Sequence, residues 1–68
     1  MSKVKKIVSR YNDALDNFAE TISAIEFMQP QGDGARDQAS KELDDACNRV
    51  IAAAKNVKNY IKEEYLED

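Results

Sequence analysis

The sequence predicts an all-α fold, an antiparallel two-helix hairpin that occupies the whole chain as one domain. Two segments carry heptad patterns of apolar residues, and the only proline and both glycines of the chain lie between them. When the chain is folded back at Pro30, bulky residues of the first pattern face small residues of the second. Together these observations indicate two long helices that pack against each other.

The first helix is predicted over residues 3–28, with Ser2 as its N-cap. Its apolar residues are separated alternately by four and three positions, which is the spacing of a coiled-coil seam. The seam has Val8, Leu15 and Ile22 at heptad position a, and Val4, Tyr11, Phe18 and Ile25 at position d. The apolar stripe is widened on one side by residues at position g, namely Ile7, Ala14 and Met28.

The second helix is predicted over residues 35–65, followed by a short acidic tail at 66–68. Its seam has Leu43, Val50 and Val57 at position a, and Ala39, Ala46, Ala53 and Tyr60 at position d. Residues at position e widen this stripe, namely Cys47, Ala54 and Ile61. The helix therefore offers mostly small side chains where the first helix offers large ones.

Residues 29–34 are predicted to form the turn between the helices. Pro30 and Gly32 are turn-forming residues, and Gln29 precedes the proline, where helical geometry is disfavoured. The segment has neither the motif of a phosphate-binding loop nor the ligand spacing of an EF-hand. We interpret it as a hinge that pairs residues whose numbers sum to 64 or 65.

The composition argues against catalysis and against metal or cofactor sites. The chain has no histidine, which is the commonest general base, and a single cysteine, which excludes an intrachain disulfide. That cysteine, Cys47, lies on an apolar stripe close to Asp44 and Asp45, and both features disfavour a reactive thiolate. We therefore expect no catalytic residue, no metal and no cofactor.

The sequence also argues against a membrane protein. No apolar run approaches the ~18 residues that a membrane-spanning helix needs. The basic N-terminus is not followed by the apolar stretch of a secretory signal. We therefore expect a cytoplasmic protein that does not contact membranes.

Charge is distributed unevenly along the predicted hairpin. Residues 1–12 and 53–62, which meet at its open end, contain seven basic and no acidic residues. This basic patch consists of Lys3, Lys5, Lys6, Arg10, Lys55, Lys58 and Lys62. Residues 13–52 carry nine acidic and three basic residues. Because opposite charges then face each other, the polarity favours an antiparallel arrangement of two copies.

A hairpin of two helices leaves apolar side chains without a second layer to cover them. The residues predicted to form a dimer or partner interface are Ile7, Phe27, Met28, Ile51 and Ile61. The g stripe of the first helix and the e stripe of the second are expected to share one flank. A homodimer would close this flank as a four-helix bundle.

Two function classes follow from the sequence. The first is a non-catalytic protein–protein interaction or assembly module, of the kind that phages and mobile elements encode as small accessory or inhibitory factors that bind a host protein. The alternative is a small dimeric RNA- or DNA-binding regulator that uses the basic patch. The residues do not identify the partner.

Overall fold

The computed structural model describes residues 2–67 and confirms the all-α hairpin. Helix α1 spans Lys3–Met28, helix α2 spans Asp33–Ile61, and a π-helical turn follows at Lys62–Leu66. The molecule measures 54 × 20 × 12 Å, so the two helices lie side by side in a single layer.

Helix α1 begins and ends at the residues that the sequence predicted. The Ser2 hydroxyl accepts a hydrogen bond from the Lys5 backbone N–H at 3.1 Å, which caps the helix. At the other end Gln29 adopts the left-handed conformation, with φ of 45°. Its N–H still donates to the Ile25 carbonyl at 2.8 Å, and Pro30 then prevents the helix from continuing.

The turn is shorter than predicted, because α2 begins at Asp33 rather than at Ala35. Gly32 precedes the helix with φ of 82°, a conformation that glycine adopts readily and other residues do not. Asp33 then lies in the first turn, where the helix dipole favours a negative charge. Pro30 is half-buried and lies between the helices, where it shares a groove with residues of both.

The C-terminal end of α2 also differs from the prediction. The α-helix ends at Ile61 rather than near Tyr65, and the chain continues as a π-helical turn in which the Glu67 N–H donates to the Lys62 carbonyl at 2.8 Å. Glu63 and Glu64 lie in this turn, at the end of the helix where the dipole disfavours negative charge. The two carboxylates therefore weaken the continuation of the regular helix.

The helices are antiparallel, and their pairing lies close to the predicted register. Three contacts or shared grooves mark it: Lys3 with Tyr60, Tyr11 with Ala54, and Ile25 with Ala39. The residue numbers of these pairs sum to between 63 and 65. Within residues 2–67 the one buried side chain is that of Ala46, at 2% exposure, in the middle of α2.

The rotation of α1 about its axis differs from the predicted seam. Ile7, Ala14 and Thr21 at position g are half-buried, whereas Leu15 and Ile22 at position a are 37% and 45% exposed. The heptad spacing identifies the stripe but does not set how the stripe is turned, which depends on packing against the partner helix. Leu15 and Ile22 are therefore corrected from seam residues to surface residues.

Candidate protein-interaction surface

The two helices form a single layer with two faces. The grooves on these faces are lined by different kinds of residue. On one face, Asn17 and Thr21 of α1 line a groove together with Glu42, Asp45 and Arg49 of α2. The Thr21 hydroxyl donates a hydrogen bond to the Asn17 carbonyl at 2.9 Å within α1. We call this surface the polar face.

The opposite face of α1 is apolar. Successive residues of an α-helix advance by about 100°, so Leu15 and Ile22 lie on the side of Phe18 that is turned away from Asn17 and Thr21. Both carry large aliphatic side chains that remain exposed in the hairpin. Their exposure shows that α2 does not cover this side of α1.

Helix α2 contributes the second half of the same surface. Cys47, Ile51 and Ala54 lie on the side of Ala46 that is turned away from the polar face, by the same helical geometry. Ile51 is 46% exposed, while Cys47 and Ala54 are half-buried. We call the combined surface the apolar face; it consists of Val8, Leu15, Ala19 and Ile22 of α1 and Cys47, Ile51 and Ala54 of α2.

A groove of about 310 Å³ opens on the apolar face near the open end of the hairpin. Tyr11 of α1 forms one wall, and Ala54, Val57 and Lys58 of α2 form the other. Three of these four residues present carbon surface, and Lys58 is exposed at the rim. The groove therefore suits an apolar side chain flanked by a negative charge.

The structure divides the predicted interface residues among different surfaces. Ile51 lies on the apolar face, whereas Ile7 lines the groove that Lys3, Lys6 and Arg10 also line. Ile7 and Ile61 are half-buried. Met28 lines a groove of about 350 Å³ on the side of the polar face, and Phe27 points away from α2 at 89% exposure.

The exposed apolar residues that sequence reasoning missed are Leu15 and Ile22. Their heptad positions assigned them to the seam, so only the rotation of α1 reveals that they face outward. Tyr65 and Leu66 in the π-helical turn are also exposed, at 65% and 71%.

All seven residues of the predicted basic patch are exposed. Four of the N-terminal residues line a groove of about 670 Å³ together with Ile7, namely Ser2, Lys3, Lys6 and Arg10. The patch therefore offers several ammonium and guanidinium groups to solvent at one end of the rod.

Lys3 and Tyr60 connect the two helices at this end. The Lys3 Nζ lies 5.6 Å from the centre of the Tyr60 ring, within the range of a cation–π interaction. Partial removal from water, followed by the nearby Glu64 carboxylate and Tyr65, raises the pKa of the Tyr60 hydroxyl above its ordinary value. The phenol of Tyr60 therefore loses its proton at a higher pH than an ordinary tyrosine does.

Within residues 2–67, no group of three or more histidine, cysteine or acidic side chains is placed to hold a metal ion. Neither described helix combines the length and apolar character that crossing a bilayer requires.

Comparisons with protein-family models, with curated proteins and with solved structures found no match to this chain.

Proposed function

We propose that this chain is a non-catalytic protein–protein interaction module that assembles as a homodimeric four-helix bundle and, in that form, binds a further protein. The observation that carries the proposal is the near absence of a core, since Ala46 is the one buried side chain of the described hairpin. Small single-layer folds need a second layer or a covalent staple to be stable. A lone cysteine provides no staple within the chain.

The surface area of the chain supports the same proposal. The hairpin exposes 5580 Å². A compact monomer of the same mass, 7.7 kDa, exposes about 4,300 Å² by the usual scaling of area with mass. The difference of about 1,250 Å² exceeds the ~800 Å² that each partner buries in an interface of standard size. One such interface would bring the exposed area per copy close to that of an ordinary globular protein.

The module would act through surfaces rather than through reaction chemistry. The apolar face supplies the contact between copies, and the exposed residues left outside it supply contacts to the further protein. Among these are Phe27 and Met28 near the turn, which remain on the surface after the apolar face is covered. Binding to a host protein by a small accessory or inhibitory factor is the biological setting we propose.

Analytical ultracentrifugation over a range of concentrations, combined with circular dichroism, tests this function. We expect a dimer that dissociates on dilution, with helicity falling as the monomer appears. A monomer that keeps full helicity at micromolar concentrations would contradict the proposal. A pull-down with the intact protein as bait, followed by mass spectrometry, then identifies the further partner.

The alternative function is binding of RNA or DNA, and the exposure of the whole basic patch is the observation that favours it. Contacts between lysines and phosphates weaken as salt rises, because counterions compete. Titration of a fluorescent single- and double-stranded oligonucleotide at low salt measures this directly. Retention that is strong at low salt and is lost when Lys3 and Lys6 are replaced by glutamine would favour the alternative. The formal net charge of −3 weighs against it.

A further inference from the structure

We infer that the open end of the hairpin binds a second copy of this chain, with the acidic turn of each copy lying in the basic groove of the other. The basic groove is the one of about 670 Å³ lined by Ser2, Lys3, Lys6, Ile7 and Arg10. The acidic turn is the segment at residues 62–67. This contact goes beyond the proposed function and does not depend on the apolar-face dimer.

The basic groove collects positive charge without an acidic neighbour along its own helix. Its three cationic residues are exposed, and residues 1–12 contain no acidic residue. These cations also lie at the positive end of the α1 dipole, which disfavours them. Most of the groove wall is nevertheless carbon, which Ile7 and the methylene stems of the lysines supply. The groove therefore suits an acidic segment that also carries an apolar side chain.

The acidic turn has this chemistry. Its charged residues are three acids and one lysine, namely Glu63, Glu64, Glu67 and Lys62. Tyr65 and Leu66 lie among the acids and are 65% and 71% exposed. Within residues 2–67, the backbone of the π-helical turn lies near α2 and not near α1. Carboxylates and large apolar side chains therefore project together from the open end of the hairpin.

The acidic turn extends away from the basic groove of its own chain. Lys3 contacts Tyr60, so α1 begins at the level where α2 ends. Residues 62–67 continue outward from this level, whereas the groove runs inward along residues 2–10. Docking within one chain would require a sharp reversal at this level, but Ile61 and Lys62 have helical backbone angles. The occupant of the groove is therefore expected to come from another copy.

Two hairpins that meet open end to open end bring each acidic turn beside the basic groove of the other copy. Six residues of helical turn are at most ~9 Å long, and the stretch of α1 that lines the groove is ~12 Å long. A two-fold axis makes the contact twice and closes it. Glu63 and Glu64 then lie near the positive end of the other copy's α1, instead of only at the negative end of their own α2. Charge complementarity favours this orientation.

The basic groove stays accessible when the apolar face is covered. Lys3 lies 18 residues before Thr21, which is five helical turns, and Lys6 lies 11 residues before Asn17, which is about three turns. Both lysines therefore project on the side of α1 that carries the polar face. The end contact and the proposed dimer can form in the same assembly, which would then exceed two copies.

Exchange of charge between groove and turn tests the contact in the intact protein. The groove variant is K6E/R10E and the turn variant is E63K/E67K; all four residues are exposed. Within each variant the groove and the turn carry net charge of the same sign, so each is expected to raise the dissociation constant of the end contact at least about ten-fold. In an equimolar mixture both contacts between unlike copies join opposite charges. Mixing is therefore expected to return the constant to within about three-fold of the wild-type value.

Sedimentation velocity over a dilution series measures the association of the wild type, each variant and the mixture. The matched control is K5E/K55E, which makes the same change of net charge at exposed residues that do not line the groove. It is expected to change the constant less than about three-fold. Circular dichroism verifies that every variant remains helical.

The outcomes separate this inference from the proposed function. Association that Ile22→Gln weakens and K6E/R10E leaves unchanged would overturn the inference and leave the proposed dimer standing. Association that K6E/R10E weakens, that mixing restores and that Ile22→Gln leaves unchanged would support the inference and overturn the proposed dimer. A mixture as dissociated as its two components, or an equal loss in K5E/K55E, would overturn the inference. Loss with Lys58→Glu but not with K6E/R10E would also overturn it, by placing the turn in the groove beside Tyr11.

Discussion

The two faces of the hairpin are made by the same two helices and yet differ in what they leave on the surface. The polar face carries amide, hydroxyl and charged groups that water solvates, whereas the apolar face leaves Leu15, Ile22 and Ile51 partly exposed. In the proposed dimer, this difference would make the apolar face one half of a core and the polar face the outside of the assembly.

The largest expected loss of stability comes from truncating a side chain in the seam between the two helices, because the seam lies beneath both faces. Phe18 lies between them in the seam and is half-buried, so Phe18→Ala is expected to cost about 2–4 kcal/mol of unfolding free energy. Phe27 is 89% exposed, and Phe27→Ala is expected to change it by less than about 0.5 kcal/mol. Urea denaturation of both variants at the same protein concentration measures the difference. Equal effects from the two variants would show that the seam is misplaced.

A pair of neighbouring residues on opposite faces tests the comparison directly. Ile22→Gln places an amide on the apolar face and is expected to raise the dimer dissociation constant roughly 100-fold, because two isoleucine side chains lose their apolar environment per dimer. Thr21→Gln introduces the same side chain on the side of the polar face and is expected to change the constant less than about three-fold. Sedimentation velocity over a dilution series measures both. A larger effect at Thr21 than at Ile22 would reverse the assignment of the faces.

The two glycines are expected to give a smaller effect on stability. They test the conformation of the turn, which sets how the two helices, and therefore both faces, are placed. Gly32 has φ of 82°, so Gly32→Ala is expected to destabilise the hairpin by about 1–2 kcal/mol through backbone strain. Gly34 lies within α2, and Gly34→Ala is expected to stabilise it by about 0.5–1 kcal/mol. A methyl group at either position meets open space, so packing does not complicate the comparison. The midpoint of thermal denaturation should fall in Gly32→Ala and rise in Gly34→Ala. Shifts of the same sign in both variants would contradict the observed turn.

The smallest expected effect concerns Tyr60 of α2, which contacts Lys3 of α1 at the open end of the hairpin. Its pKa is raised in the folded protein, so the unfolded chain loses the phenolic proton first as pH rises. The stability that the neutral phenol contributes is present below about pH 10 and is lost as pH rises through the folded-state pKa. Tyr60→Phe should reduce the fall in unfolding free energy at alkaline pH. Tyr65→Phe should reduce that fall less, because Tyr65 is the smallest of the three causes of the raised pKa of Tyr60.

Local sequence signals predicted the elements of this fold well. The N-cap at Ser2, the proline after Gln29 and the two heptad stripes are properties of neighbouring residues, and they located α1 and the register of the hairpin. The ends of α2 were less accurate. The start of α2 is set locally by Gly32, and its end by Glu63 and Glu64. A heptad pattern spans several helical turns and therefore does not locate a helix end to within one turn.

The candidate surface was harder to predict, because it depends on how far each helix is rotated. Leu15 and Ile22 have the same spacing whether they point into the seam or beside it. Their exposure follows from the rotation at which α1 packs against α2, which is a tertiary property. Ile51 was predicted as an interface residue because it lies outside the seam, and the structure places it on the apolar face. Ile7 was predicted for the same surface, and it is half-buried in a groove with Lys3, Lys6 and Arg10.

The single buried alanine at the centre of α2 also bears on how long the protein would persist in a cell. A copy without a partner has little to hold its helices together, and proteases cleave chains in proportion to how often they open. Association would lower that opening frequency, so each newly made copy would protect those already present. Turnover would then slow as the protein accumulates, and its abundance would rise more steeply than its rate of synthesis.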